Sequence, residues 1–158
     1  MIIVIGCDHA AFDLKETIIK HLENNEKISN IIDCNDEVRY IEKDGKFIPE
    51  AVDYPDIAKS VCEKIINSEE EIRGILICGT GIGMSIAANK FKGIRAAVCS
   101  DIFCAEYCRL HNNANVLCMG ARVINADKAC ELTDIFVKTE FEGGRHSKRL
   151  EKIEKFEN

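Results

Sequence analysis

Residues 73–90, RGILICGTGIGMSIAANK, carry the residue types and spacing most suggestive of chemistry in this chain. A short apolar run ends at Cys78, and Thr80 lies two residues beyond it. Three glycines alternate with other residues in this loop: Gly79, Gly81 and Gly83. Because glycine has no Cβ, the backbone N–H groups of such a loop approach a ligand closely, and a following helix points its positive end to the same place. The pattern predicts a thiol beside an anion-binding loop; the alternative is a tight strand-to-helix turn.

Two other positions bear titratable side chains where a ligand could bind. Asp8 and His9 follow the apolar run IIVIGC, and a carboxyl and an imidazole at the end of a strand are well placed for a polar ligand. His111 closes a predicted helix over 101–111. It either contacts a ligand or, as a cation, complements the helix dipole.

Cysteine and histidine side chains can bind a metal ion, and three of them share one helical face at positions i, i+4 and i+7: Cys104, Cys108 and His111. Structural zinc sites use four ligands, and no fourth ligand suggests itself nearby. We therefore expect this face to pack in the core, and we expect no metal site.

The stretch GGRHSKR near the C-terminus contains a pair of arginines. Two glycines end the preceding helix, and Arg145 and Arg149, four residues apart, fall on one face of the helix predicted over 145–156. Two guanidinium groups near a helix N-terminus can clamp a phosphate. The alternative is a solvated basic face.

Composition restricts the class of protein. A chain of 158 residues is long enough for one domain with a single core, and its net charge of −6 argues against nucleic-acid and anionic-membrane partners. Nine cysteines, an odd number, argue against a disulfide framework. The first apolar run is too short for a secretory signal, and no run approaches the ~20 residues of a membrane span. We expect one domain over residues 1–158, located in the reducing cytoplasm.

Apolar runs alternate with amphipathic segments along the chain. Strands are predicted at 2–6, 28–33, 74–78, 95–99 and 115–119. Helices are predicted at 12–23, 56–67, 84–91, 101–111, 126–139 and 145–156. This alternation predicts a Rossmann-like, three-layer α/β/α sandwich with a five-stranded parallel sheet and a C-terminal helix, and ligands of such folds bind at the carboxyl ends of the strands. Residues 34–52 interrupt the alternation, and Asp44-Gly45 predicts a hairpin there.

Six motifs together resemble the type B ribose-5-phosphate isomerases, a family that also includes galactose-6-phosphate and allose-6-phosphate isomerases. They are GCDHAAF at 6–12, DYP at 53–55, ICGTGIGMSIAANK at 77–90, GIRAAVCSD at 93–101, RLHNNANVLCMGARV at 109–123 and EGGRHSKR at 142–149. The resemblance covers most of the chain. It implies interconversion of D-ribose 5-phosphate and D-ribulose 5-phosphate through a cis-enediolate, in the non-oxidative branch of the pentose phosphate pathway, without metal or organic cofactor.

The resemblance also implies catalytic roles. Cys78 matches the base that moves a proton between C2 and C1, and Thr80 would stabilise the enediolate oxygen. His111 matches the histidine that opens the furanose ring, and Asp8 lies at the sugar oxygens. The backbone N–H groups that assist Thr80 belong to the loop residues Gly79, Gly81, Ile82 and Gly83.

Substrate contacts are implied in the same way. Asn112 matches a substrate contact, and Tyr54 lies near the expected sugar site. The matching phosphate ligands are His9, Arg122, Arg145 and Arg149. Family sites are built at a dimer interface, so we expect a homodimer whose second subunit supplies some of these groups, with pairing into tetramers left open.

Two departures leave alternatives open. Met84 occupies the position where some members place a glutamate base, so this chain matches the cysteine-base members. The 35–52 stretch is longer than the family's usual connection and precedes Tyr54. This leaves a six-carbon substrate such as allose 6-phosphate as an alternative. A catalytically silent sugar-phosphate-binding protein is a second one, against which the set Cys78, Thr80 and His111 argues.

Overall fold

A parallel β-sheet with helices on both faces forms the centre of the molecule. The computed structural model describes residues 1–35, 38 and 40–157. The strands in chain order are β1 (Ile2–Cys7), β2 (Asn30–Asp33), β3 (Tyr40–Lys43), β4 (Lys46–Pro49), β5 (Ile72–Cys78), β6 (Ala96–Val98) and β7 (Val116–Gly120). Five of them form a parallel sheet in the order β2-β1-β5-β7-β6, and β3 pairs with β4. The predicted α/β/α architecture is confirmed.

The helices cover the two faces of the sheet. They are α1 (Phe12–Leu22), α2 (Tyr54–Ile66), α3 (Ile82–Ala88), α4 (Ile102–Leu110), α5 (Ala126–Lys138) and α6 (Ser147–Glu154), the last preceded by a 3₁₀ turn over Gly144–His146. Alternate strand residues point to opposite faces. Thus Ile75 and Ile77 join a core with α1, α4 and α5, whereas Leu76 and Cys78 join a core with α2 and α3.

The interruption predicted over 34–52 contains a hairpin. Asp44 and Gly45 have φ of 52° and 74°, and Lys43 pairs with Lys46 across them. Positive φ at both central residues is the requirement of a two-residue turn that matches strand twist. The hairpin prediction is confirmed for β3 and β4, while residues 36, 37 and 39 of the predicted segment lie outside the described residues.

The third helix is shorter than the predicted 84–91. It begins after Gly81, whose left-handed backbone (φ 79°) ends the preceding loop. It ends at Ala88, where the next N–H groups bond three residues back, from Lys90 to Ala87 and from Phe91 to Ala88. The side-chain amide of Asn89 donates to the Ala96 carbonyl oxygen and its oxygen accepts from the Ala96 N–H, both at 2.8 Å. Asn89 thereby joins the end of this helix to β6.

The strands of the parallel sheet all begin on one side of the molecule, called the amino edge below, and all end on the other, called the carboxyl edge. Each helix that follows a strand runs back toward the strands' amino ends. Consequently the loops after β1, β5 and β7 lie at the carboxyl edge, whereas the loop after α4, residues 111–115, lies at the amino edge. Hydrogen bonds from Arg95, just before β6, fix this loop: its Nε donates to the Asn113 carbonyl at 2.9 Å and its N–H to Asn115 Oδ1 at 2.8 Å.

Candidate active site

Three neighbouring strands bring predicted site residues together at the carboxyl edge. The strand β5 lies between β1 and β7. The Asp8 N–H donates to the Ile77 carbonyl oxygen at 3.0 Å, which places Asp8 beside Cys78. On the other side Cys78 pairs with Gly120, and Arg122 follows two residues later. Asp8, Cys78, Thr80 and Arg122 are called the carboxyl-edge cluster below.

The sulfur of Cys78 accepts a hydrogen bond, and this distinguishes it from other thiols of the chain. The Gly81 N–H donates to Cys78 Sγ at 3.1 Å. In contrast, the thiols of Cys62 and Cys108 donate to carbonyl oxygens of Ala88 and Ala105. An N–H donor favours a sulfur that carries negative charge. Cys78 is nearly buried, with 5 % of its surface exposed.

Other buried cysteines sit in environments that keep the thiol protonated. Burial raises the pKa of Cys7 and of Cys62 to about 12 each. Burial likewise raises the pKa of Cys118, which lies within β7. These thiols therefore behave as small apolar side chains.

The glycine loop packs too closely for side chains at two positions. A Cβ on Gly81 would lie 3.0–3.1 Å from backbone atoms of Met119, and the φ of +79° is unfavourable for other residues. A Cβ on Gly83 would lie 2.9 Å from the ring of Tyr54. The Tyr54 ring, partly exposed at the start of α2, therefore covers the first turn of α3. The prediction that Tyr54 lies near the sugar stays a prediction.

Asp8, Thr80 and Arg122 carry polar groups on the loops next to Cys78. Asp8 is buried, and its Oδ1 accepts from the Ala10 N–H at 2.9 Å, which orients the carboxylate. Thr80 is exposed, and its Oγ1 accepts from the Ile82 N–H at 3.4 Å. The guanidinium of Arg122 passes over Gly79, 3.5–3.7 Å from where a Cβ would be. His9 is exposed at the same edge. A carboxylate, a hydroxyl, a guanidinium and an imidazole thus lie on the loops that follow neighbouring strands.

The amino edge holds a second cluster, centred on His111. The rings of His111 and His146 stack with centroids 4.0 Å apart and an interplanar angle of 11°. Glu142 Oε2 lies 3.6 Å from His111 Nε2 and 3.3 Å from His146 Nε2. The Nε of Arg145 lies 3.3 Å from His146 Nε2. His111, Glu142, Arg145 and His146 are called the amino-edge cluster below, and the exposed Asn112 adjoins it.

The two arginines of the basic tail do not belong to one α-helix. Arg145 lies in the 3₁₀ turn, because Gly143 and Gly144 both adopt positive φ and delay the start of α6 to Ser147. Arg149 lies in α6, and both arginines are exposed. The expectation that the helix begins at 145 is therefore wrong, while the turn still leads from Arg145 directly into the helix that carries Arg149.

Within one chain, the carboxyl-edge cluster and the amino-edge cluster lie far apart. The clusters lie at opposite edges of a sheet whose strand β7 has five residues, or roughly 15 Å at about 3.3 Å per residue. A group that exchanges a proton with a substrate must lie about 3 Å from it, or act through one water. His111 therefore cannot act on a molecule whose reacting carbon lies at Cys78 of the same chain.

Geometry argues against a metal ion in the amino-edge cluster. Ligand atoms of His111, Glu142 and His146 lie within 4.8 Å of one another. A zinc ion lies about 2.0–2.1 Å from each imidazole nitrogen and in line with its lone pair, which lies in the ring plane. Because the two rings are nearly parallel and stacked, one ion cannot lie in both planes. The expectation that the face of Cys104, Cys108 and His111 packs in the core is wrong for Cys104, which is exposed because it lies at the outer side of α4. Only Cys108 is buried, and its thiol donates to the Ala105 carbonyl.

Sequence reasoning missed several residues that shape these clusters. Asn35 is buried, and its side chain bonds both the N–H and the carbonyl of Cys7, at 2.8 and 2.9 Å. Glu142 and His146 had no assigned role, although both lie in the motif EGGRHSKR. A histidine that directly follows Arg145 was the available signal for His146.

No helix among the described residues is long and apolar enough to cross a membrane.

Comparisons with known proteins agree with one another. Residues 3–153 match the family model described as Ribose/Galactose Isomerase. Ribose-5-phosphate isomerase B of Escherichia coli is 43 % identical over 151 residues, which cover 96 % of this chain and 93 % of that protein. A solved structure of Clostridium thermocellum ribose-5-phosphate isomerase B superposes with a TM-score of 0.85 at 43 % identity, covering 99 % and 97 % of the two chains. The Mycoplasma genitalium enzyme, solved with bound ribulose-5-phosphate, gives 0.85 at 38 % identity, covering 99 % and 95 %.

Proposed function

Because this chain belongs to the ribose/galactose isomerase family, we propose that it is an enzyme that interconverts D-ribose 5-phosphate and D-ribulose 5-phosphate. The observation that carries the proposal is the Cys78 sulfur, which lies at the carboxyl end of β5 and accepts the Gly81 N–H at 3.1 Å. The relatives named ribose-5-phosphate isomerase B support the substrate. Residues 1–158 act as one isomerase domain.

Cys78 is the base in this proposal. As a thiolate it removes the proton from C2 of the open-chain aldose, and the C–H electrons form the C1–C2 double bond of a cis-enediolate. As the double bond forms, the electrons of the C1 carbonyl move onto O1. The hydroxyl proton of O2 then passes to O1, the same sulfur returns its proton to C1, and C2–O2 becomes the ketose carbonyl. Charge on the enediolate oxygen is stabilised by Thr80 and by loop N–H groups, and such preorganised donors supply a large part of catalysis.

Recognition of the substrate uses the remaining polar groups. Asp8 holds a sugar hydroxyl, because its carboxylate is fixed by the Ala10 N–H and accepts hydrogen bonds. The exposed His9 and Arg122 contact the phosphate at the same edge, where Arg122 supplies positive charge and the His9 ring donates a hydrogen bond. Arg145 and Arg149 complete the phosphate site, but they lie at the far end of the same chain.

The active site is therefore shared between two copies of the chain. His111, Asn112, Arg145 and Arg149 of one copy meet the carboxyl-edge cluster of the other. A two-fold axis perpendicular to the strands brings opposite edges of two sheets together, and such isologous dimers are the commonest oligomers. In this arrangement each of the two sites takes residues from both copies.

An apolar surface along β6, one of the two outermost strands of the sheet, supports this dimer. Edge strand β6 and its neighbours α3 and α4 expose five large apolar side chains, each with 41–64 % of its surface accessible. They are Ile82, Ile86, Val98, Ile102 and Phe103. An exposed patch of this kind marks an interaction site, and Ile82 directly follows Gly81 of the glycine loop. A second copy seated here covers the patch next to the thiol.

A cytoplasmic location follows from the chemistry of the proposed base. A thiolate base must stay reduced, and the cytosol keeps thiols reduced.

Cys78→Ser tests the mechanism in an assay of ribulose 5-phosphate formed from ribose 5-phosphate. We expect turnover to fall about 10²–10⁴-fold, with folding and substrate binding retained. Cys104→Ser, at an exposed thiol in α4, is the matched control and should keep full activity. Near-normal turnover of Cys78→Ser would contradict the mechanism, and an inactive parent protein would contradict the substrate.

A further inference from the structure

We propose that His146 is a positioning residue: its ring holds His111 for opening of the sugar ring, and its Nε2 holds Arg145 for the phosphate. This inference rests on the function proposed above. His146 is 3 % exposed. One face of its ring stacks on His111 at 4.0 Å, and its Nε2 lies 3.3 Å from Arg145 Nε. One buried side chain therefore contacts the two residues on which the amino-edge cluster depends.

The contact with Arg145 determines which nitrogen of His146 carries a proton. Arginine only donates hydrogen bonds, so Nε2 of His146 accepts from Arg145 when its proton is on Nδ1, whereas Glu142 Oε2, also 3.3 Å from Nε2, would need a proton on Nε2. We infer the first arrangement. Burial, followed by the nearby His111 and then Arg145 and Arg149, lowers the pKa of His146, while Glu142 opposes them. The neutral ring needed to accept from Arg145 is thus favoured.

A neutral His146 leaves Glu142 to His111. The carboxylate lies at ion-pair distance from both rings, but it can interact favourably only with an imidazole that presents an N–H. With His146 Nε2 unprotonated, that partner is His111. His111 is then held on one ring face by the stack and at Nε2 by Glu142, and its backbone is fixed because the Glu142 N–H donates to the Leu110 carbonyl at 3.0 Å.

The two contacts can be separated by two substitutions. His146→Phe keeps an aromatic ring against His111 but removes the acceptor for Arg145. His146→Gln keeps an acceptor oxygen but removes the aromatic stack. Steady-state kcat and KM are measured in both directions, with ribose 5-phosphate and with ribulose 5-phosphate.

We expect the two variants to fail in different ways. His146→Phe should raise KM for both phosphorylated sugars about tenfold or more, the scale of a lost hydrogen bond to a charged donor, with kcat retained. His146→Gln should lower kcat on ribose 5-phosphate about 2- to 10-fold, the scale of one aromatic contact. Its kcat on ribulose 5-phosphate, which has no furanose ring to open, should hardly change.

A side chain that only fills space would give a different result. If both variants lost kcat equally in both directions, or if neither changed, the positioning role would be wrong, although the parent enzyme would still isomerise ribose 5-phosphate. Failure of the proposed function is recognised separately, as an inactive parent. Nitrogen-15 spectra of the unsubstituted protein near pH 7 provide a second test that needs no variant. They should show His146 neutral with its proton on Nδ1, and a proton on Nε2 would overturn the inference.

Discussion

Gly81→Ala probes the hydrogen bond to the sulfur of Cys78, the proposed base. At φ +79°, a non-glycine residue costs about 1–2 kcal/mol. The new Cβ would also lie 3.0–3.1 Å from backbone atoms of Met119, so the loop must move away from β7. That movement separates the Gly81 N–H from Cys78 Sγ, now 3.1 Å away. A hydrogen bond to a charged group contributes about 1.5–3 kcal/mol, so kcat should fall roughly 10- to 150-fold while KM changes little.

Gly93→Ala is the matched control for backbone strain. Gly93 has nearly the same φ, +81°, but a Cβ there meets nothing within 4 Å. Both variants should lose thermal stability, by roughly 2–8 °C if the strain is 1–2 kcal/mol, and only Gly81→Ala should lose turnover. Two results would refute the reasoning: an unchanged kcat in Gly81→Ala, or an equal loss of kcat in Gly93→Ala.

Three other predictions follow from the clusters and the core. Arg149→Ala should raise KM for ribose 5-phosphate about 10- to 150-fold, whereas Lys152→Ala on the same helix should leave it unchanged; equal effects would show a diffuse basic surface. Activity should survive exhaustive chelation, and loss of activity that zinc restores would contradict a metal-free mechanism. Arg73 donates to the carbonyls of Phe136 and Thr139 at the end of α5. Urea unfolding at fixed protein concentration should show that Arg73→Met costs about 1–3 kcal/mol, because buried carbonyl groups lose their donor, and a cost no larger than that of exposed Lys138→Met would show that these contacts contribute little.

The sequence predicted the local structure of the carboxyl edge well, for physical reasons. The signals concerned are local: each is encoded within a few residues, as in strand periodicity, the Asp44-Gly45 turn and the glycine loop. The predicted site residues directly follow the strands, so the ends of the strands also give their positions. Helix–strand alternation even implies that His111, at the end of α4, returns to the opposite edge from Cys78.

The amino-edge cluster could not be predicted in the same way. Residues 139–146 have no hydrophobic period, and their path depends on positive φ at Gly143 and Gly144. Only that path brings His146 onto His111. The strand order was equally hidden, since β6 lies outside β7 although it precedes β7 in the chain.

Mixing two inactive variants tests the shared active site most directly. Assayed with ribose 5-phosphate, whose furanose ring must open, Cys78→Ser and His111→Asn should each be nearly inactive alone. After equal amounts are unfolded and refolded together, half of the dimers contain one copy of each variant. In each mixed dimer one site is intact, with an unsubstituted Cys78 from one copy and an unsubstituted His111 from the other, and the second site has lost both residues. Activity should therefore recover to about a quarter of the unsubstituted enzyme. A mixture that stays as inactive as its components, although mixed dimers form, would contradict a site built from two copies.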